Sequence, residues 1–185
     1  LIDCLRVDKP GFNKSERSIE DTFEKACLET PGKVLITMTS SNVSRMQQAM
    51  NVAEKLGRKV AVVGRSFENN FQVARDLGYL SVPPGIIIAP DSISSFAESK
   101  VLILIAGAQG QSDSSLVRAA NEEHRQVKLK EGDSVIFSAD PIPSTESAQN
   151  ALIDSLSRLG LNVYYSAVNS ALHVSGHAAL EELRL

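Results

Sequence analysis

The stretch "KVLITMTSSNVSRMQQAMNVAEKLG", residues 33–57, decides the fold. It opens on a short apolar run, "KVLITMTSS" (33–41), and passes directly into "NVSRMQQAMNVAEKLG" (42–57), where Val43, Met46, Met50, Ala53 and Leu56 recur at helical spacing. Gly57 suits the end of that helix, because glycine takes the left-handed conformation of a C-terminal cap without strain. A buried strand followed at once by an amphipathic helix is one half of a βαβ unit.

The same grammar repeats outward from this unit. "KVAVVGR" (59–65) precedes "SFENNFQVARDLGYL" (66–80), and "KVLILIAGAQG" (100–110) precedes "SDSSLVRAANEEH" (112–124). "DSVIFSAD" (133–140) precedes "STESAQNALIDSLSRLG" (144–160), whose helix Ser144 or Thr145 is expected to cap; "NVYYSA" (162–167) leads to a terminal helix. "VPPGIIIAPDSISSF" (82–96) reads as an extra short strand and a one-turn helix, and the chain opens at Leu1 inside what reads as a strand. Apolar, β-branched strands alternating with helices predict an α/β fold, a Rossmann-like parallel sheet with helices on both faces. With no repeat, low-complexity tract or linker, residues 1–185 are expected to form a single domain.

Composition narrows the function. Of 185 residues, 43% are hydrophobic and 22% charged, as in an ordinary globular protein. A net charge of −3 excludes a generally basic surface, so any nucleic acid must be held locally, in a cleft. Aromatic residues at 5%, with no Trp, argue against an extended base-stacking platform. Cys4 and Cys27 match neither a redox pair nor a zinc ribbon and are expected to be free thiols in a reducing cytoplasm. Even "VLILIAGA" (101–108) is too short to span a bilayer, so no membrane is expected. A start at Leu1 rather than Met suggests a piece of a longer protein.

In parallel sheets of this kind ligands bind beyond the carboxyl ends of the strands. Those ends carry Thr39, Ser40, Ser41 and Asn42; Gly64, Arg65 and Ser66; Gly107, Gln109, Gly110 and Gln111; Ser138, Asp140 and Pro141; and the loop from His173 to His177. Hydroxyls, amides and glycines before helix N-termini suit phosphate, and the same residues are also what caps and turns require. "LHVSGHAALEEL" (172–183) holds two of the three histidines. Val174 stands where an HExxH zinc motif needs its acid, and no further His or Cys cluster completes a ligand set, so no metal site is expected in this chain. Ser175 lacks the G-x-S-x-G setting of a nucleophile elbow, and "GAQGQS" (107–112) falls short of a dinucleotide fingerprint. His124, at the end of "AANEEH", is expected to be structural, an imidazolium at a helix C-terminus. From the residues alone the cleft is polar and anion-friendly, with a histidine able to do acid–base work.

Taken together, "PGFNKSE" (10–16), "MTSSNVSRMQQAMNVAEKLGRKVAVVGRS" (38–66), "LGYL" (77–80), "AGAQGQ" (106–111), "GDSVIFSADPIPSTE" (132–146) and "HVSGHAALEEL" (173–183) resemble the β-CASP domain of the ribonuclease J family, from Asp3 to the end of the chain. The resemblance implies a domain inserted into a metallo-β-lactamase domain, with RNA in the cleft between them and RNA cleaved endonucleolytically or from the 5′ end. It implies two zinc ions as cofactor, bound by the metallo-β-lactamase half through an HxHxDH signature that this chain lacks. Asp3 falls on the family's motif A acid and His177 on its motif B histidine, which implies a proton donor to the leaving oxygen, His177, oriented and assisted by Asp3. His173, Ser175 and Gly176 match the loop that contacts RNA phosphate and ribose, with Ser40, Ser41 and Asn42 at a neighbouring strand end.

The expected partners are therefore RNA, the metallo-β-lactamase domain of the same protein and, in the intact enzyme, a second copy in a homodimer. The 185-residue chain by itself is expected to be inactive. Gln111 replaces a frequent Glu, "PIPST" replaces "PIPGN", and "DCLRVDKPGF" lacks the bacterial "DSTNAE" and looks more archaeal, which leaves endo- against exonuclease preference open. Two rival readings are a stand-alone module for nucleotides or phospho-ligands, and an unrelated Rossmann-like enzyme with a covalent Ser175.

Overall fold

The computed structural model describes residues 3–142 and 144–184. Five strands, β1 (Val34–Thr37), β2 (Lys59–Val63), β3 (Val101–Ile105), β4 (Ser134–Phe137) and β5 (Asn162–Tyr164), form one sheet in the order β2-β3-β1-β4-β5. Every pairing is parallel; Val34 lies opposite both Leu102 and Ser134, and Lys59 opposite Val101. The three central strands are buried at every position, while β5 on the edge is only half-buried. This is the α/β architecture that the continuous apolar runs predict.

Side chains that alternate along the strands feed two cores. Val34, Ile36, Leu102 and Leu104 pack with α1 (Ser18–Glu29), α2 (Val43–Lys55) and α3 (Arg65–Asp76) on one face. Leu35, Ile103, Val135 and Phe137 pack with α4 (Ser115–Ala120) and α5 (Glu146–Arg158) on the other. α1 is absent from the sequence reading, although Ile19, Phe23, Ala26 and Cys27 are all buried at helical spacing.

The 82–96 segment resolves what would be a crossover of the wrong hand. β2 and β3 are neighbours, and α3 lies on the same face as α2, although α2 carries the chain the other way across the sheet. Ile87 supplies the missing step: it bridges Val60 in parallel outside β2, with Val60 N–H donating to Ile86 O and Ile88 N–H to Val60 O, each at 2.9 Å. The chain then turns through a 3₁₀ segment, Pro90–Ser95, whose Ile93 joins the second core, and returns to β3 over that face. All crossovers thereby keep a single hand, as parallel sheets require.

Three local expectations change. Of the opening strand, Leu1 and Ile2 lie outside the described residues; from Asp3 onward the segment makes only an isolated bridge, Arg6 to Ala179, beside the four-residue terminal helix α6 (Leu180–Leu183). Thr145 occupies the N-cap of α5 but its hydroxyl does not cap: it bonds Gln109 Oε1 and Ile142 O, tying the β3 and β4 loops together. His124 sits beyond the end of α4 and is buried. Its Nδ1 accepts N–H bonds from Gln126 (3.3 Å) and Val127 (3.2 Å), which requires that nitrogen to be unprotonated, so it is no dipole-stabilised cation.

Burial first, then the charges of Arg118 and Lys128, push the His124 pKa below the ordinary 6.5. The unfolded chain takes up this proton before the folded one, so the stabilisation is complete above pH 6.5 and is lost as pH falls toward the folded value. Thermal unfolding between about pH 7.5 and pH 5 should show a falling midpoint. His124→Asn keeps an acceptor near Nδ1 without titrating and should flatten that fall; an unchanged pH slope would remove His124 as its source.

Candidate functional site

The carboxyl end of the sheet is organised by Arg45, in the first turn of α2 and 2% exposed. Nε donates to Glu16 Oε1 (2.8 Å) and Nη2 to Glu16 Oε2 (2.9 Å) and Val174 O (3.3 Å). Nη1 donates to Ser138 O, just past β4, and to His173 Nδ1 (3.1 Å). One guanidinium thus joins the start of α1, the helix that follows β1, the β4 loop and the histidine loop. A basic side chain at this helix position opposes the dipole, where an acid would favour it. That mismatch was the available signal for Arg45, which the sequence reading passes over together with Glu16.

His173 is held as a neutral ring. Arg45 can only donate, so His173 Nδ1 accepts and the ring proton resides on Nε2, 3.5 Å from Asp140 Oδ2. Burial lowers its pKa, against the opposing pull of Asp140. Its backbone is extended (φ −142°, ψ 137°), so the loop from His173 to His177 is not helical and its two histidines face different surroundings.

Two grooves flank this loop. One is lined by Thr39, Ser41, Asn42, Ser44, His173 and Gly176, and the other by Arg6, Lys14, Asp140, His173 and Ser175. The structure therefore brings Ser41, Asn42, His173 and Gly176 together. Asn42 is partly committed, since its Oδ1 caps α2 by accepting Arg45 N–H at 3.0 Å. Ser40 lies apart, accepting a bond from Asn70 (3.1 Å) and lining a third groove with Ser66, Gln109 and Ser114. The glycines of "AGAQGQ" answer to packing: a Cβ on Gly110 (φ 70°) would sit 2.5 Å from the Ala148 backbone, and one on Gly107 2.8 Å from Leu116 and Ser114.

Asp3 and His177 are in contact through Oδ2 and Nδ1. Asp3 Oδ1 accepts Leu5 N–H at 2.9 Å, and this bond, followed by that to His177, holds the carboxyl below its usual range. The loop is fastened to the N-terminal segment from several sides. Asn13 Nδ2 donates to His177 O (2.7 Å) and Glu182 Oε2 (2.9 Å), and Leu180 N–H to Lys9 O (2.9 Å). His177 N–H donates to Ser175 Oγ at 3.1 Å, and among the described residues no hydrogen bond joins that hydroxyl to the His177 ring, whose Nδ1 meets Asp3. Among the described residues no three His, Cys, Asp or Glu side chains gather as metal ligands, so this site does not fit a zinc ion of its own. Nor, among them, is any helix long and apolar enough to cross a membrane. Cys4 and Cys27 are free, and burial raises the Cys27 thiol to about 11.

The domain is an all-parallel α/β sheet whose carboxyl edge carries polar grooves, beside which segments from opposite ends of the chain bring a carboxylate and a histidine together. The chain belongs to the ribonuclease J β-CASP domain family: the model "Ribonuclease J, beta-CASP domain" matches residues 31–156. Ribonuclease J 1 of Streptococcus pyogenes is 39% identical over 185 residues, which are 100% of this chain and 33% of that protein. Ribonuclease J of Helicobacter pylori is 38% identical over the whole chain and 27% of its own length, and Ribonuclease J2 of Bacillus subtilis 34% over the whole chain and 33% of its own length. The chain spans about a third of the length of these relatives. Asp3 and the 173–177 loop lie outside the matched 31–156 and inside these full-length similarities.

Arg45→Gln should cost about 3 kcal/mol, because it leaves Glu16 and three other acceptors without their buried donor. Arg45→Lys should recover little of this, since an ammonium cannot reproduce the fork. Urea unfolding measures the loss, and amide exchange at Val174–His177 should accelerate in both variants. Protection that stays at the wild-type level would show that the loop is held by its N-terminal contacts instead.

Proposed function

We propose that the chain is the RNA-engaging insert of a zinc-dependent ribonuclease, acting in the cytoplasm on phosphodiester bonds by endonucleolytic or 5′-to-3′ cleavage. The zinc ions belong in this reading to a metallo-β-lactamase domain of the same protein, and the intact enzyme pairs as a homodimer. The observation that carries it is the contact of Asp3 with His177, seen in a chain related along its full length to proteins named ribonuclease J.

The geometry suits a proton donor. Asp3 accepts from Nδ1, so Nε2 is the nitrogen left to hold and deliver a proton to the departing oxygen. Asp3 is kept ionised by the Leu5 N–H and oriented by it, which fixes the ring plane of His177. Both side chains remain reachable, at 56% and 45% exposed. Beside them His173, Ser175 and Gly176, with Ser41 and Asn42 across the groove and Ser40 in the next one, supply N–H and O–H donors for the phosphate and ribose of a bound strand. These neutral donors match a chain with no general positive field.

In the intact protein His177→Ala should lower turnover on RNA by about 10²–10⁴-fold, the usual worth of a positioned general acid, with zinc content unchanged. Asp3→Asn should lose less, since the ring is still present but no longer held by a carboxylate. Loss of bound zinc in His177→Ala would make the residue a ligand and overturn the proposed role. The 185-residue chain alone should leave labelled RNA uncut with or without added zinc; robust cleavage by it would overturn the assignment of the metals to another domain.

A further inference from the structure

The groove on the N-terminal flank of the 173–177 loop, about 660 Å³ in volume, has an electrostatic character that the candidate site above does not use. Arg6 and Lys14 line it, with Asp140 as the one lining carboxylate among the described residues. Asp3 contacts His177 and Asp8 pairs with Lys9 at 3.0 Å, while Asp140 stays in the groove, its Oδ2 3.5 Å from His173 Nε2. Arg6 Nε is shut off from solvent and finds no acceptor among the described residues, and its guanidinium makes no ion pair among them. A guanidinium with a buried, unfilled N–H and no direct ion pair among the described residues has donors left for an anionic ligand. Ser175 Oγ accepts from His177 N–H and keeps its own proton for a ligand.

We infer that this groove binds a backbone phosphate of single-stranded RNA through Arg6, so that the strand crosses the histidine loop with one phosphate on either side of it. The inference rests on the RNA reading above and extends it to a second subsite. Arg6 offers the planar fork that matches two phosphate oxygens, and Lys14 adds a point charge. The groove joins the α2-side groove through His173 and Val174, which line both, so adjacent phosphates of one chain can occupy the two. Phe12, 64% exposed, lines the same groove, and an exposed aromatic side chain there is a partner for a base, which an isolated inorganic anion would not need.

The test uses the intact protein in a His177→Ala background, so that the strand is bound and not cut, with a fluorescent oligoribonucleotide carrying either a 5′-hydroxyl or a 5′-monophosphate. The logarithm of the binding constant is followed against the logarithm of salt concentration. Arg6→Gln should make the slope shallower by about 0.7, the worth of one single-strand phosphate contact, equally for both oligonucleotides, and Arg6→Lys should restore most of it. An unchanged slope in Arg6→Gln overturns the subsite; a loss confined to the 5′-monophosphate strand overturns its assignment to the backbone. If Arg6→Gln proves unfolded by its thermal midpoint, the exposed Lys14→Gln gives the second reading, and an unchanged slope there rejects the subsite. Absence of any RNA binding by the parent protein would instead defeat the functional reading itself.

Discussion

A guanidinium has five N–H donors, and all five of Arg45's find acceptors inside the protein, on Glu16, Ser138, His173 and Val174. Most of the carboxyl edge depends on that bookkeeping. Taking an arginine out of water is costly unless its charge is paired and its donors are filled, so the arrangement is close to all-or-none. Once Arg45 is buried, Glu16 must stand at the start of α1, the β4 loop must turn its Ser138 carbonyl inward, and His173 must present an unprotonated Nδ1. The histidine loop has almost no hydrophobic anchor apart from Leu172 and Val174, so the arginine supplies the constraint that apolar burial supplies elsewhere.

The opposite end of the sheet uses charge differently. Lys33, 2% exposed, meets Asp133 at 2.9 Å and also contacts Glu98, while Arg58 donates to the carbonyls of Cys27, Thr30, Gly32 and Val101. These bonds satisfy backbone groups where α1 ends and β1 and β3 begin, and the groove that Arg58 helps to line there is small, about 200 Å³. At the carboxyl end the same kind of burial is only half complete. Arg45 is sealed, but it presents His173 and the 174–176 backbone to grooves on both flanks. One end ties the sheet's backbone together and the other leaves donors facing outward, the end at which parallel sheets of this kind take their ligands.

What the sequence discloses follows from how local each cause is. A strand buried on both faces has to be apolar at every position, so β1, β3 and β4 could be read from composition over a few residues. α2, α3 and α5 show their apolar stripes within themselves. The bridge at Ile87 reads as an ambiguous apolar run, because its meaning lies in a pairing with Val60 and in the hand of the crossover. Thr145 looks like a cap because Thr before Glu usually is one, yet Gln109, distant in sequence, claims its hydroxyl. Arg45 carries one local signal, a basic residue in the first turn of a helix, but its pairing with Glu16 is unreadable for the same reason: nothing local joins the two. Asp3 and His177 were legible through resemblance alone, since 174 positions separate them.

The spacing of His173 and His177 invites a single role for both, and the backbone denies it. In a helix residues four apart share a face, but His173 is extended and the turn at Gly176 redirects the chain, so the rings diverge. Their partners then give them opposite chemistry. Arg45 forces His173 to accept at Nδ1, and burial disfavours its cation, so near neutral pH it offers one fixed N–H and no movable charge. His177 meets a carboxylate at the corresponding nitrogen, and much of its ring lies toward solvent; in the proposed role Nε2 carries the proton. The same imidazole is a fixed donor in one case and, in the function proposed, the proton donor in the other. What decides between them is the charge of the residue facing Nδ1: a cation from the sheet edge, or an anion from the other end of the chain.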